Sequence, residues 1–220
     1  EQLDKLLMYM LIFTIVGARL GHCLFYEPGY YFSNPIKFLY VWEGGLASHG
    51  GAIGILIGLY IYAKKIGKPY IWILDRIVVP VAIGGAFIRT GNLMNSEIYG
   101  QPTDLPWGFK FVRDYPIGTP IENIPACHPT QIYEALFCVA VFIYLLYAYY
   151  KQNMAERRPG FMFGIFLIVV FGSRIMIEFI KNHQVAFEDN MVLDMGQWLS
   201  IPFLLAGIYF VARSFFKSEK

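Results

Sequence analysis

Three arginines stand where an apolar chain should have none. Arg19, Arg89 and Arg174 each lie within, or at the end of, a long apolar block. An arginine at the centre of a membrane helix costs roughly 2.5–3.5 kcal/mol on insertion scales, and less toward an end. Each is therefore a functional candidate by default, with snorkelling to the headgroup layer as the ordinary alternative. A guanidinium suits phosphate, because its planar fork donates two parallel hydrogen bonds. Two histidines, His49 and His128, begin or precede apolar blocks, and an imidazole exchanges a proton near neutral pH. Glu178 follows Arg174 by four residues. The two share one helical face, so Glu178 can pair with Arg174 or hold another arginine. The densest polar stretch is Arg89-Thr-Gly-Asn-Leu-Met-Asn-Ser-Glu-Ile-Tyr-Gly100. If a helix continues through it, Arg89, Asn92 and Asn95 line one side. Gly91 and Gly100 mark a break or a close approach of backbone to a ligand.

The elements that position these groups follow from composition. Of 220 residues, 56% are hydrophobic and 15% charged, against about 45–50% and about 25% in soluble domains. The excess forms six blocks of membrane-crossing length, near 6–26, 44–63, 70–89, 129–150, 160–180 and 197–212. Only helices satisfy their own backbone in lipid at such lengths. The fold class is thus an all-α, polytopic membrane bundle with six transmembrane helices, in one domain over 1–220. A helical core of a large soluble protein is the alternative. Pro80 is expected to kink the third helix. The glycines at 50, 54 and 58 make a smooth strip for close helix contact. Cys23, Cys127 and Cys138 match no zinc or redox spacing, and Cys23 and Cys138 read as small buried hydrophobes.

Charge placement orients the bundle. If six helices alternate, Lys5, Lys64, Lys65, Lys68, Arg76, Lys151, Arg157, Arg158, Arg213, Lys217 and Lys220 fall on one side. Only Lys37, Lys110, Arg113 and Lys181 fall on the other. The positive-inside bias places both termini in the cytoplasm. The loops 27–48, 90–128 and 181–196 then face outward, and 90–128 is long enough to cover a site. In that orientation Arg19, Arg89, Arg174, His49 and His128 share one depth near the outer leaflet. The net charge of +2 gives no case for nucleic acid. No phosphate-cradling glycine loop, serine elbow or zinc-binding histidine pair is present in the sequence. Residue types alone thus describe an arginine-lined outer-leaflet pocket for an anionic, phosphate-bearing lipid. A lipid transporter or flippase and a membrane scaffold tied by polar groups are the competing readings.

In order along the chain stand Gly17-Ala-Arg19-Leu-Gly-His22, Trp42-Glu-Gly-Gly-Leu-Ala-Ser-His49, the Arg89–Gly100 stretch, His128-Pro-Thr-Gln-Ile-Tyr133-Glu134, Arg174-Ile-Met-Ile-Glu178-Phe and Gly196-Gln-Trp-Leu-Ser-Ile-Pro202. Together they resemble the prolipoprotein diacylglyceryl transferase family. Two departures stand out. Ser96 occupies a position where the family often has glycine, tightening that turn. The family's additional N-terminal helix, with its tyrosine, lies outside this chain, so the chain reads as part of a longer protein. The resemblance implies transfer of diacylglyceryl from phosphatidylglycerol to the lipobox cysteine of a prolipoprotein signal peptide, with release of glycerol phosphate. It implies a multi-pass bacterial inner-membrane enzyme whose site faces the periplasmic leaflet. It implies catalytic roles for His49, Arg89 and Arg174. Arg19, Asn92, Asn95, Glu97, Gly100, His128, Tyr133 and Glu178 would bind substrate or order the site. It calls for no metal and no organic cofactor.

Overall fold

The computed structural model describes residues 1–182 and 193–216, apart from the side chains of Ser48, His49 and Met195. Its helices are α1 Gln2–Phe25, α2 Pro28–Ser33, α3 Ser48–Lys65, α4 Tyr70–Asn95, α5 Thr130–Tyr150, α6 Met154–Arg157, α7 Phe161–Glu178 and α8 Met195–Phe216. Five of these (α1, α4, α5, α7 and α8) are long and apolar enough to cross a membrane. Large apolar side chains stay exposed along them, among them Leu11, Ile88, Ile143, Met176 and Leu205. Acyl chains cover such faces in a bilayer. The sixth expected span, 44–63, corresponds to α3, which has 18 residues. That is about 27 Å of helix at 1.5 Å per residue, slightly under the roughly 30 Å hydrocarbon core. Its ends, Ser48-His49 and Lys64-Lys65, are polar. The third span overruns its expected end at 89 and stops at Asn95, so the following connection covers 96–129. The expected outward loop 181–196 lies outside the described residues from 183 to 192.

The sequence reading treats 1–220 as one domain; by its contacts the chain forms two compact units, 1–73 and 74–220. In the first unit, α1 and α3 meet through glycines. A Cβ at Gly50 would sit 2.2 Å from the Gly17 carbonyl oxygen, and one at Gly54 would sit 2.0 Å from that of Phe13. Backbones this close gain dispersion contacts that lipid alone does not offer. The expected strip on α3 thus has a matching strip, Gly17 and Gly21, on α1. The Ala47 N–H donates to the Ala18 carbonyl at 2.9 Å and fixes where α3 begins.

In the second unit, Val78 and Ala82 of α4 pack with Val141 and Leu145 of α5 and with Phe161 and Met162 of α7. Asp75 of α4 is fully buried. Its carboxylate accepts from the Gly160 N–H at 2.6 Å and the Phe163 N–H at 2.8 Å. It thereby caps α7 from a different helix, satisfying amides that have no intrahelical partner. The start of α8 carries half of a capping box: the Gln197 side chain accepts from the Asp194 N–H at 3.1 Å. The same side chain donates to the Ile175 carbonyl at 3.1 Å, tying α8 to α7. Farther along, Gly164 of α7 lies against Gly207 of α8.

Gly50 and Gly51 make a contrasting pair. At Gly51 a Cβ would meet the Ala18 Cβ at 3.5 Å and Thr14 at 3.7 Å and beyond, all ordinary contacts. Gly50→Ala is expected to destabilise the protein by about 1–3 kcal/mol through overpacking. Gly51→Ala should be neutral or stabilising by up to about 1 kcal/mol. Thermal melts in detergent separate the two; equal effects would refute the glycine interface.

Candidate functional site

The polar stretch at the end of α4 forms a relay. Arg89 Nη1 donates to Asn92 Oδ1 at 3.3 Å, and Asn92 Nδ2 donates to Glu97 Oε2 at 3.1 Å. The helix does continue through Arg89 and Asn92, and Asn95 is its exposed last residue. It stops there because Ser96 and Ile98 both take left-handed backbone, with φ of 60° and 59°. That region costs an L-residue roughly 1–2 kcal/mol, and a β-branched residue there is an outlier. Glycine suits position 96 for this reason. Side chains at the start of α5 hold the turn: Thr130 Oγ1 donates to the Ile98 carbonyl at 2.9 Å, and Gln131 Nε2 to the Glu97 carbonyl at 2.5 Å.

Gly100 is a point of close approach, to the protein's own chain. A Cβ there would sit 2.5 Å from the Ile180 carbonyl oxygen and 2.7 Å from His128 Cβ. The Gly100 N–H donates to the His128 carbonyl at 2.8 Å, and the Gln101 N–H to the Ile180 carbonyl at 2.9 Å. The 99–101 segment thus holds both the chain before α5 and the chain after α7. His128 Nδ1 lies 3.4 Å from the Tyr133 hydroxyl, which accepts from Trp107 Nε1 at 2.9 Å. Tyr99 stacks on Phe111 with centroids 4.3 Å apart and donates to Asp114. Burial first, then that hydrogen bond, push the Tyr99 phenol up. Burial likewise raises the Cys127 thiol. Both keep their protons at neutral pH, so Cys127 is no ready nucleophile.

Behind this turn, charged groups from three helices meet. Arg89 Nε lies 2.6 Å from Glu134 Oε2 of α5, close but out of line for a hydrogen bond. Lys181, only 2% exposed, donates to Glu134 Oε1 at 3.0 Å and lies 3.6 Å from Glu178 Oε2. Gly196, in the first turn of α8, leaves room for the Glu178 carboxylate; a Cβ there would meet Oε1 at 2.3 Å. Beside the network opens a cavity of about 240 Å³ lined by Gly85, Arg89, Glu134, Cys138, Ser173 and Arg174. This is below the roughly 300–1,000 Å³ of sites for drug-sized ligands, and suits a headgroup rather than a whole lipid. Among the described residues, Arg174 Nε is buried with no hydrogen-bond partner. No ion pair joins Arg174 to Glu178; Lys181 lies 3.6 Å from Glu178 Oε2, an ion-pair distance without a hydrogen bond. Cys138, expected among buried hydrophobes, is half-buried at the cavity wall, whereas Cys23 is fully buried.

Arg19 behaves differently. In the first unit its guanidinium, 3% exposed, donates to the carbonyls of Lys37 at 2.6 Å, Phe38 at 3.2 Å, Gly44 at 2.5 Å and Gly45 at 3.3 Å. It also lies 5.0 Å from the Tyr31 ring centroid. Arg19 pins the connection between α1 and α3, and most of its donors face protein. His49 sits in the first turn of α3; its side chain lies outside the described residues.

The family model for prolipoprotein diacylglyceryl transferase matches residues 1–213. The chain belongs to that family. A relative from Porphyromonas gingivalis is 50% identical over 217 residues, covering 96% of this chain and 77% of the relative. One from Tolumonas auensis is 46% identical over 215 residues, covering 97% and 80%. One from Bacteroides fragilis is 41% identical over 232 residues, covering 100% and 79%. All three are named phosphatidylglycerol–prolipoprotein diacylglyceryl transferase.

Within this family member, sequence reasoning assigned no role to Glu134 and Lys181, the two residues that organise the network. Glu134 closes the His128–Glu134 motif and was visible there. Lys181 stands three residues after Glu178 at the end of an apolar block. That spacing signals an ion pair on one helical face, yet it was counted only as a loop charge. Ser96→Gly, which relieves the left-handed strain beside Glu97, is expected to raise stability by about 0.5–1 kcal/mol. A detergent melt that moves down instead of up would show that the turn does not need glycine-like backbone.

Proposed function

We propose that this chain transfers the diacylglyceryl group of phosphatidylglycerol to the lipobox cysteine of a prolipoprotein. It acts as a multi-pass enzyme of the bacterial inner membrane, with its site toward the periplasmic leaflet. The observation that carries the reading is a charge count at the cavity. Among the described residues that line it, Arg89 and Arg174 stand against one carboxylate, Glu134, so one positive charge is left over, and it falls on Arg174, whose buried Nε has no hydrogen-bond partner. A phosphodiester carries one negative charge and offers oxygens in the fork geometry of a guanidinium.

The reaction forms a carbon–sulfur bond and breaks the bond from the glyceryl carbon to the phosphate ester oxygen. The electron pair leaves on that oxygen, as glycerol phosphate. Preorganised cations in a water-poor cavity stabilise the charge that develops there. Arg174 supplies that stabilisation directly, and Arg89, held by Glu134 and Asn92, supplies it from the other wall of the cavity. The thiol must lose its proton to become the nucleophile, and the imidazole of His49 is the candidate acceptor. Asn92 and Glu97 order Arg89. The 96–129 connection, with His128 and Tyr133, covers the site. Arg19 serves by holding the 37–45 connection.

Purified protein, phosphatidylglycerol and a lipobox peptide are sufficient for the test. The peptide should gain a diacylglyceryl mass, and an unmodified peptide would remove the reading. Arg89→Ala and Arg174→Ala should each reduce turnover by about 100-fold or more while the protein still inserts. Near-normal turnover in either would take that arginine out of the mechanism. His49→Gln should lose most activity and regain part of it at higher pH; a defect independent of pH would exclude the base role.

A further inference from the structure

Arg174 and Glu178 sit one helical turn apart on α7, at the spacing that ordinarily makes an ion pair. They do not pair, and two features draw the carboxylate away. Lys181 lies 3.6 Å from Glu178 Oε2. The other carboxylate oxygen lies over Gly196 in the first turn of α8, where the helix dipole favours an anion. We infer that Lys181 is a positioning residue that holds Glu178 off Arg174 and so keeps that guanidinium open for the phosphate of the lipid.

The placement of Lys181 is built into the backbone. Gly100 and Gln101 clamp the chain at Ile180, and Gly100 pairs with Lys181 across an antiparallel bridge. The same ammonium bonds Glu134 at 3.0 Å, so that carboxylate is shared between Lys181 and Arg89. Removing Lys181 leaves Glu178 with Arg174 as its nearest cation on the same helix face. A buried carboxylate in that position closes on the guanidinium, because an uncompensated charge out of water is costly. Lipid phosphate then has to displace it.

This inference rests on the transferase reading only for the identity of the anion, and its test has an arm that does not. Three full-length proteins are compared: wild type, Lys181→Met, and Lys181→Met with Glu178→Gln. Transfer kinetics are measured against phosphatidylglycerol. Separately, Arg174 is labelled with phenylglyoxal, an arginine-selective dicarbonyl, and its modification is mapped by mass spectrometry. Lys181→Met should raise KM for phosphatidylglycerol about tenfold, with kcat within about threefold, and should protect Arg174 from the dicarbonyl. Neutralising Glu178 in the double variant should recover most of the KM and restore labelling. Unchanged KM and labelling in Lys181→Met overturn the inference. So does a loss that Glu178→Gln fails to relieve, since a merely structural lysine predicts that result. If Lys181→Met alone does not fold, the double variant decides: labelling of Arg174 as in wild type supports the inference, and a protected Arg174 overturns it. A wild type that labels as expected but transfers nothing refutes the transferase reading and leaves the positioning role of Lys181 standing.

Discussion

A cation left over at a half-buried cavity governs the second unit. The described lining of the cavity holds two cations, Arg89 and Arg174, and one carboxylate, Glu134, and in a low-dielectric setting the remainder is poorly compensated. The excess has a location because each carboxylate lies within ion-pair distance of another cation and not of Arg174. Glu134 lies between Arg89 and Lys181, and Glu178 lies between Lys181 and the start of α8. Arg174 is left facing a cavity with a buried Nε that nothing accepts from. A protein built only to hold helices together gains nothing from such a group, which costs stability until an anion arrives. This observation separates a binding site from a scaffold more sharply than the presence of arginines in apolar blocks.

Backbone devices keep the charges apart. The turn at 96–98 uses two left-handed residues and three hydrogen-bonding side chains to reverse the chain directly after α4. That reversal sends the 99–101 segment across the end of α7, where the absence of a side chain at Gly100 lets Ile180 and His128 crowd in. Lys181 emerges from this crossing with its ammonium already aimed between two carboxylates. Strained backbone persists only where surrounding contacts over-determine it. Here the contacts that hold it are those that also fix the charged network.

The helices were legible because length and apolar content are local properties. α5 and α7 fall within a few residues of their expected ranges, and α4 was misjudged only at its polar end, where hydropathy fades before the helix does. Which arginine does what was not legible. Arg19 and Arg174 are the same residue type in similar apolar blocks, and hydropathy reports only that both are expensive there. Their difference lies in the partners supplied by distant chain. The 37–45 connection folds back four carbonyls onto Arg19, whereas the carboxylate one turn from Arg174 lies within ion-pair distance of Lys181 instead. Glu134 and Lys181 were missed for the matching reason. A charge at a block boundary looks like a solvated end until the tertiary structure shows it buried.

Glu178 shows why spacing alone misleads at such a site. The i, i+4 rule describes an isolated helix, where a pair gains only about 0.2–0.5 kcal/mol. A helix N-terminus contributes about 0.3–1 kcal/mol to a nearby anion, and up to about 2 kcal/mol when partly buried. A buried lysine nearby adds an attraction that a low-dielectric setting strengthens. Glu178 has both alternatives within reach, and both are set by sequence: Gly196 by having no Cβ, Lys181 by its place after the clamped backbone. The i, i+4 pairing therefore loses to an i, i+3 lysine fixed by clamped backbone and to the start of α8, and the arginine it would have quenched stays available. An acidic neighbour one turn from a phosphate-binding arginine is thus compatible with anion binding only where other groups outbid that arginine for the carboxylate.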